Sequence, residues 1–385
     1  MSDRPLVVLT VDGLSRDSIG AMGCPWNQTP AIDAIAATGW TMDRCVVDRD
    51  ADQPDLTDLF AQEVVGRYRS AGQTILVTDD PSVADSARGN AVGIDEVVLV
   101  PQTHSPSIAE SLSIEQTSMG QLFNRAIEAE SGVDTSLLWI HSRSLREQWD
   151  APESLRPTGW ETHPGPDEDE DVIDDGSEPE DVDMDDSAGD AMDWSDPTPP
   201  SVTLVGDDPD LAGQWMQRYG AQVRQLDLLI EILLASLTMD DPQIAIVSVG
   251  GFSLGQSGSI GYRQGPVRSS QIHVPAIISD LGVWRSDQIA SPGEVLRCLI
   301  RGGGRSLDGL ASARPGDPSR VLRTDSDRAA VVATTEDWML VVDHEGNEAL
   351  FVKPDDIHDA NNVAQRQIDV VDRLREAAEQ TKSRY

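Results

Sequence analysis

Near the start of the chain, Leu6 to Val11 form an unbroken apolar and β-branched run that leads straight into Asp12-Gly13. A strand lying on a protein surface alternates apolar with polar residues, whereas this run does not. It therefore predicts a strand buried on both faces inside a parallel sheet. A carboxylate then stands at its carboxyl end, the edge at which open α/β sheets bind ligands. A loop with Gly20, Gly23 and Pro25 follows, and then Thr29-Pro30-Ala31-Ile32-Asp33-Ala34-Ile35. Thr29 suits an N-cap, Pro30 the first helical turn and Gly39 the stop. The first forty residues thus read as one β-loop-α unit.

The same alternation continues. Asp55–Ser70 has helical spacing at Leu56, Leu59, Phe60, Val64 and Tyr68. Thr74–Thr78 is a second buried strand ending at Asp79-Asp80, Ile94–Val100 a short third one, Ser107–Ala129 a helix, and Ser136–His141 a strand with a polar tip. Asp210–Leu237 is a long amphipathic helix, and Gln243–Val249 and Ile272–Ile278 are further strands. Alternating strands and helices predict a doubly wound, mostly parallel α/β sheet flanked by helices. Beyond about residue 306 the pattern changes. Ala329–Thr334, Trp338–Val342 and Ala349–Val352 read as short antiparallel strands and Ala364–Glu379 as a closing helix, a small carboxyl-terminal β subdomain. The segment 161–200 holds 17 acidic residues and no Lys or Arg, which predicts a disordered acidic insertion. The expected organisation is an α/β core over 1–160 and 201–305, the insertion at 161–200, and the β-plus-helix unit over 306–385.

The charge balance narrows the function. The 385 residues carry 29 basic and 67 acidic groups, a formal net charge of -38. Such a field repels nucleic acid and anionic membranes, so neither is an expected partner. A basic protein is the partner that the insertion would suit. Only Lys353 and Lys382 are lysines. Cys24, Cys45 and Cys298 are odd in number and far apart, neither a disulfide framework nor a metal motif. With the first strand entered by Leu6 and no long apolar run, a cytoplasmic protein is expected.

The strand, its acidic tip, the Gly-rich loop and Thr29-Pro30-x-Ile32-Asp33-x-Ile35-Ala36-x-x-Gly39 resemble the amino-terminal block of the sulfatase family, within the alkaline-phosphatase superfamily. The likeness continues in order. Tyr219-x-x-x-Val223-x-x-Leu226-Asp227 resembles the family's long helix, His273-Val274-Pro275 its Arg-Val-Pro strand, and Ala349 to Val363 its closing unit. The resemblance implies the same α/β fold and, in active members, a divalent cation and a nucleophile formed from Cys or Ser.

The site residues that the resemblance implies are largely replaced here. The first strand of the family ends in two metal-binding aspartates; here they read Asp12-Gly13, leaving Asp12 as the candidate metal ligand. The nucleophile motif falls on Asp52-Gln53-Pro54-Asp55-Leu56, with Asp52 at the nucleophile position. A sulfate-contacting lysine falls on Asp79, the late Asp-His metal pair on Val249-Gly250, and a further lysine near Gln264, beside Arg263. A phosphodiesterase branch with Asp-Gly at the first strand would make Thr57 the nucleophile. His141, at a strand tip, is a second catalytic candidate; His104, His163, His273, His344 and His358 show no metal spacing.

Three readings follow. The first is a catalytically degenerate sulfatase-like protein, a pseudoenzyme with a binding or regulatory role and no required cofactor. The second is an active hydrolase of sulfate or phosphate esters, in which Asp12, Asp52, Asp55, Asp79 and Asp80 hold Ca²⁺ or Mg²⁺. The third is an interaction protein acting through its acidic insertion.

Overall fold

The computed structural model describes residues 4–50, 62–89, 93–102, 113–157, 196, 198–201, 203–204, 209–256, 258–262, 266–302 and 321–382. Its centre is an eight-stranded sheet. In chain order the strands are β1 (Leu6–Asp12), β2 (Trp40–Val46), β3 (Gln73–Thr78), β4 (Glu96–Leu99), β5 (Thr135–Ser142), β6 (Gln243–Gly250), β7 (His273–Ile278) and β8 (Trp284–Ala290). They lie in the order β8-β2-β7-β6-β1-β5-β3-β4. All neighbours are parallel except β7, which runs antiparallel to both β2 and β6. The expected mostly parallel α/β sheet is therefore present.

Period-two alternation divides the strands between two cores. On β1, Leu6 and Val8 join Leu137, Trp139, Ala245 and Val247 on one face. Val7, Leu9 and Val11 join Leu138, Ile140, Ile244 and Ile246 on the other. The second face is covered by helices α1 (Pro30–Thr38), α4 (Ser118–Glu130) and α6 (Pro209–Ser236). The first is covered by α2 (Gln62–Arg69), α3 (Pro81–Arg88) and α7 (Pro292–Gly302). Between β5 and α6 lies a single helical turn, α5 (Ser144–Glu147).

Strands β2 and β8 do not stand out in the sequence. Asp43 and Arg44 interrupt β2, and β8 is an edge strand of polar character, Trp-Arg-Ser-Asp-Gln, with Trp284 half exposed. Two expectations about α1 are also changed. Thr29 makes no side-chain cap bond; its hydroxyl accepts from Gly20 N (2.9 Å) and donates to Asp33 Oδ1 (3.0 Å), shaping the preceding loop. The cap comes from α6 instead, where Asp227 accepts from Ala31 N (3.1 Å) and Ile32 N (2.8 Å). About two turns earlier on α6, the buried Tyr219 hydroxyl donates to Gly13 O (2.7 Å) and accepts from Ser15 N (2.8 Å). Tyr219 and Asp227 thus fix both ends of the loop between β1 and α1.

The carboxyl-terminal unit is an antiparallel sheet of β9 (Leu322–Arg323), β10 (Val331–Thr334), β11 (Trp338–Val342) and β12 (Glu348–Val352). Val332, Met339 and Val341 face the main core; Val331, Ala333, Leu340 and Val342 face Val371, Leu374 and Ala378 of α8 (Ile368–Lys382). Arg44 donates to the carbonyls of Thr335 (2.6 Å) and Glu336, which ties β2 to this unit. Residues 51–61, 158–195 and 303–320 lie outside the described residues, and with them most of the acidic segment.

Candidate functional site

The carboxyl edge of the sheet gathers the tips of β1, β5, β3 and β6. At β1, the register with β6 shifts after Val11, so that Asp12 lies opposite Gly250. Ser248 pins this bulge by donating to Val11 O (2.9 Å) and Gly250 O (2.8 Å). Asp12 is wholly buried. Its Oδ1 lies 3.1 Å from Arg146 Nη1 and its Oδ2 3.8 Å from Arg143 Nε. Neither oxygen has a hydrogen-bond partner of good geometry among the described residues. Burial pushes the Asp12 carboxyl up from its ordinary range, and the two guanidinium groups oppose that rise.

Arg143 and Arg146 sit at the start of and within α5, directly after the tip of β5. Arg143 also approaches Asp80 Oδ2 (3.6 Å) and Glu147 Oε1 (3.0 Å). Arg146 is buried, donates to Gly251 O (3.3 Å) and lies over the Tyr262 ring at 4.9 Å. These two arginines were not legible as site residues in the sequence. The available signal was an Arg-x-x-Arg pair just past a strand tip.

Asp79 and Asp80, both buried, do different work. Asp79 accepts from Arg143 N (2.8 Å), Ser144 Oγ (2.9 Å), Ser142 Oγ (3.3 Å) and Gln102 Nε2 (3.4 Å). It is built into the wall that joins β3 to β5, and burial raises its pKa to about 6 against those bonds. Asp80 caps α3, its Oδ1 accepting from Ser82 N (2.7 Å) and Val83 N (3.4 Å).

His141 is buried at the tip of β5, with Nδ1 3.0 Å from Thr10 Oγ1, which itself accepts from Trp139 Nε1 (2.8 Å). Burial, with Arg143 adding to it and Asp80 opposing, lowers its pKa to about 3, so the ring is neutral at ordinary pH. Its Nε2 is buried without a partner among the described residues. Cys45 is buried in β2, and burial pushes its thiol well up, which makes it a poor nucleophile.

The structure thus brings Asp12, Asp80 and His141 to one edge with Arg143 and Arg146. Asp52, Asp55 and Thr57, and likewise Arg263 and Gln264, lie outside the described residues. Among the described residues, no group of three or more His, Cys, Asp or Glu side chains could hold a metal ion. Nor do the described residues around Asp12 fit a divalent cation. Arg146 faces Asp12, Arg143 lies against Asp12, Asp80 and Glu147, and Val249-Gly250 supplies no side-chain donor. Among the described residues, no helix is long and apolar enough to cross a membrane.

No protein-family model matches the chain, and no curated protein matches it at a significant level. Solved structures do. A protein in complex with its substrate D-glucosamine-2-N,6-O-disulfate aligns with a TM-score of 0.66 at 14% identity, over 99% of this chain and 98% of its own. A putative sulfatase from Bacteroides thetaiotaomicron gives 0.65 at 12%, over 99% and 92%. The phosphonate monoester hydrolase of Agrobacterium radiobacter gives 0.64 at 14%, over 99% and 95%. With the eight-stranded sheet and the separate carboxyl-terminal sheet in place, the chain has the fold of these sulfatase structures.

Proposed function

We propose that this is a sulfatase-fold protein without hydrolytic chemistry, retained for binding or regulation. One observation carries the reading. At the strand tip where a sulfatase-like site would gather a cation, Asp12 is closed off by Arg146 at 3.1 Å and Arg143 at 3.8 Å. Hydrolysis of a sulfate ester needs charge neutralisation aimed at the developing oxyanion and an activated nucleophile. Here Arg146 is spent on Asp12, Gly251 O and the Tyr262 ring. Asp12, Asp80 and Glu147 outnumber the two arginines beside them, which disfavours a dianionic sulfate or phosphate group.

The test is turnover of aryl sulfates and aryl phosphates by purified protein with Ca²⁺, Mg²⁺ or Mn²⁺. We expect none above a heat-denatured control. Turnover that disappears in Asp12→Ala would overturn the reading in favour of a rearranged carboxylate site including Asp52.

The same reading makes the protein cytoplasmic, with a core over 1–160 and 201–305 and a carboxyl-terminal unit over 306–385. A separate reading, an interaction protein acting through its acidic insertion, gives the segment 161–200 a basic protein as partner. The formal charge of -38 supports that polarity of partner and argues against nucleic acid. Pull-downs with and without 161–200 check it: loss of basic partners on deletion is expected, and an unchanged set would reduce the segment to a solubilising loop.

A further inference from the structure

We propose that Arg146 is a resident cation: its guanidinium takes both the charge and the space of a divalent ion at Asp12, and Gly13 and Gly250 are glycines in order to admit it. The inference rests on the reading of the site as one without hydrolytic chemistry, and it identifies what fills the place of the metal.

Three observations converge on this one side chain. The first is charge. Arg146 Nη1 is 3.1 Å from a carboxylate that is wholly buried, in a side chain itself only 5% exposed. A buried carboxylate needs a partner cation, and this one has it from within the chain. The second is the space over Gly250. A Cβ built there would lie 2.3 Å from Arg146 Nη2 and 2.5 Å from Asp12 Oδ1, closer than real Cβ atoms come to other atoms. Any side chain at 250, a donor included, would need the volume that the ion pair occupies. The third is the space over Gly13, where a Cβ would lie 2.9 Å from Arg146 Cγ, at a backbone φ of +93° that already favours glycine.

Positions 13 and 250 are where the resemblance implies two of the cation's ligands. Both are glycine here, and the same arginine reaches into the volume over both, with Leu145 beside it at Gly13. Independent loss of ligands would leave the two glycines facing unrelated neighbours. The remaining contacts hold the guanidinium in place: Gly251 O accepts from Nη2 (3.3 Å), and the Tyr262 ring lies 4.9 Å away. A charge fixed in this way requires no ion from solution and leaves no coordination position at which a substrate oxygen could be polarised.

The experiment compares the thermal response of the full-length protein and its variants to CaCl₂, MnCl₂ and guanidinium chloride at low millimolar concentration, against NaCl of equal ionic strength. Wild-type Tm is expected to be indifferent to the divalent ions. Arg146→Ala leaves the Asp12 carboxylate with only the more distant Arg143 to balance it. It should lose Tm and regain part of it as divalent cation or guanidinium is added, rising with the logarithm of concentration as for a bound ligand. Asp12→Asn/Arg146→Ala should be more stable than Arg146→Ala and should not respond.

If Arg146→Ala cannot be obtained folded, recovery of the folded double variant carries the same conclusion. Loss of both, or equal Tm values with no ion response in either, would overturn the proposal. So would an increase in wild-type Tm with Ca²⁺ or Mn²⁺ that Asp12→Asn abolishes. Ester turnover by the wild type would bring down the functional reading and leave the assignment of Arg146 standing, so the two failures can be told apart.

Discussion

Two buried ion pairs among the described residues differ in everything except burial. In the carboxyl-terminal unit, Lys353 and Asp359 have side chains 2% and 1% exposed. Asp359 also accepts from Ser269 N (2.5 Å) and Ser269 Oγ (2.8 Å), and Lys353 also donates to Asp356 O. At the sheet edge, Asp12 has ion-pair neighbours but no hydrogen-bond partner of good geometry among the described residues. Burial works against the charged form in both: it lowers the pKa of Lys353 and raises that of Asp12. A buried pair offsets its desolvation only when further hydrogen bonds complete it. By that criterion Lys353–Asp359 is a structural clasp between the core and the small sheet. Asp12–Arg146 is a charge balance in a site whose chemistry has changed.

The largest expected effects come from breaking either pair on one side. Lys353→Ala would leave Asp359 charged and buried, at a cost of about 3–5 kcal/mol in urea unfolding. Replacing both partners separates the two pairs. Lys353→Met/Asp359→Leu stays costly, because the buried Ser269 N–H loses its acceptor, worth about 1–3 kcal/mol. Asp12→Leu/Arg146→Met is expected to cost less than about 1.5 kcal/mol, as apolar replacement of a poorly bonded pair is often near neutral. Equal losses for the two double variants would erase the distinction.

Smaller effects belong to the braces between α6 and the first unit. Asp227→Ala removes the cap of α1 and should cost about 1–2 kcal/mol. Tyr219→Phe strands Ser15 N and Gly13 O in the interior and should cost about 1–3 kcal/mol. Neither variant is expected to change the response of the protein to divalent cations. A gain of cation response in Tyr219→Phe would mean that the loop, rather than Arg146, keeps the ion out.

These braces explain why the fold was legible and the site was not. The order of strands and helices is written in apolar periodicity, and Tyr219 and Asp227 stand at fixed spacing because both must reach the β1–α1 loop. What sequence reasoning missed has physical reasons too. In β2, Arg44 is buried because its guanidinium bonds carbonyls of the small sheet, so it interrupts the apolar pattern without leaving the interior. Strand β8 is an edge and keeps polar residues. Asp79 read as a charge reversal facing the substrate position, yet four donors turn it into the wall. Arg143 and Arg146 were invisible because a short turn after a strand has no periodicity to mark which side chains point inward. Only the glycines opposite Arg146, Gly13 and Gly250, recorded its presence, and they read as missing ligands.

A last prediction sets the wall carboxylate against the cap carboxylate through pH. Asp79 and Asp227 both have pKa values raised to about 6, in each case chiefly by burial, with backbone N–H donors opposing the rise. The unfolded value is about 3.9. Between these limits the folded protein binds more protons than the unfolded chain, so the contribution of each group is complete below about pH 4 and is lost as pH rises through 6. Urea midpoints measured from pH 4 to 7 should therefore carry a downward component from each. Asp79→Asn should flatten the slope by on the order of 1 kcal/mol across the window. Asp227→Asn should flatten it by a similar amount, because burial raises both groups to the same value. An unchanged slope in Asp79→Asn would mean that its four donors outweigh burial and hold it ionised throughout. A larger change in Asp227→Asn than in Asp79→Asn would place the stronger desolvation at the brace rather than at the site wall.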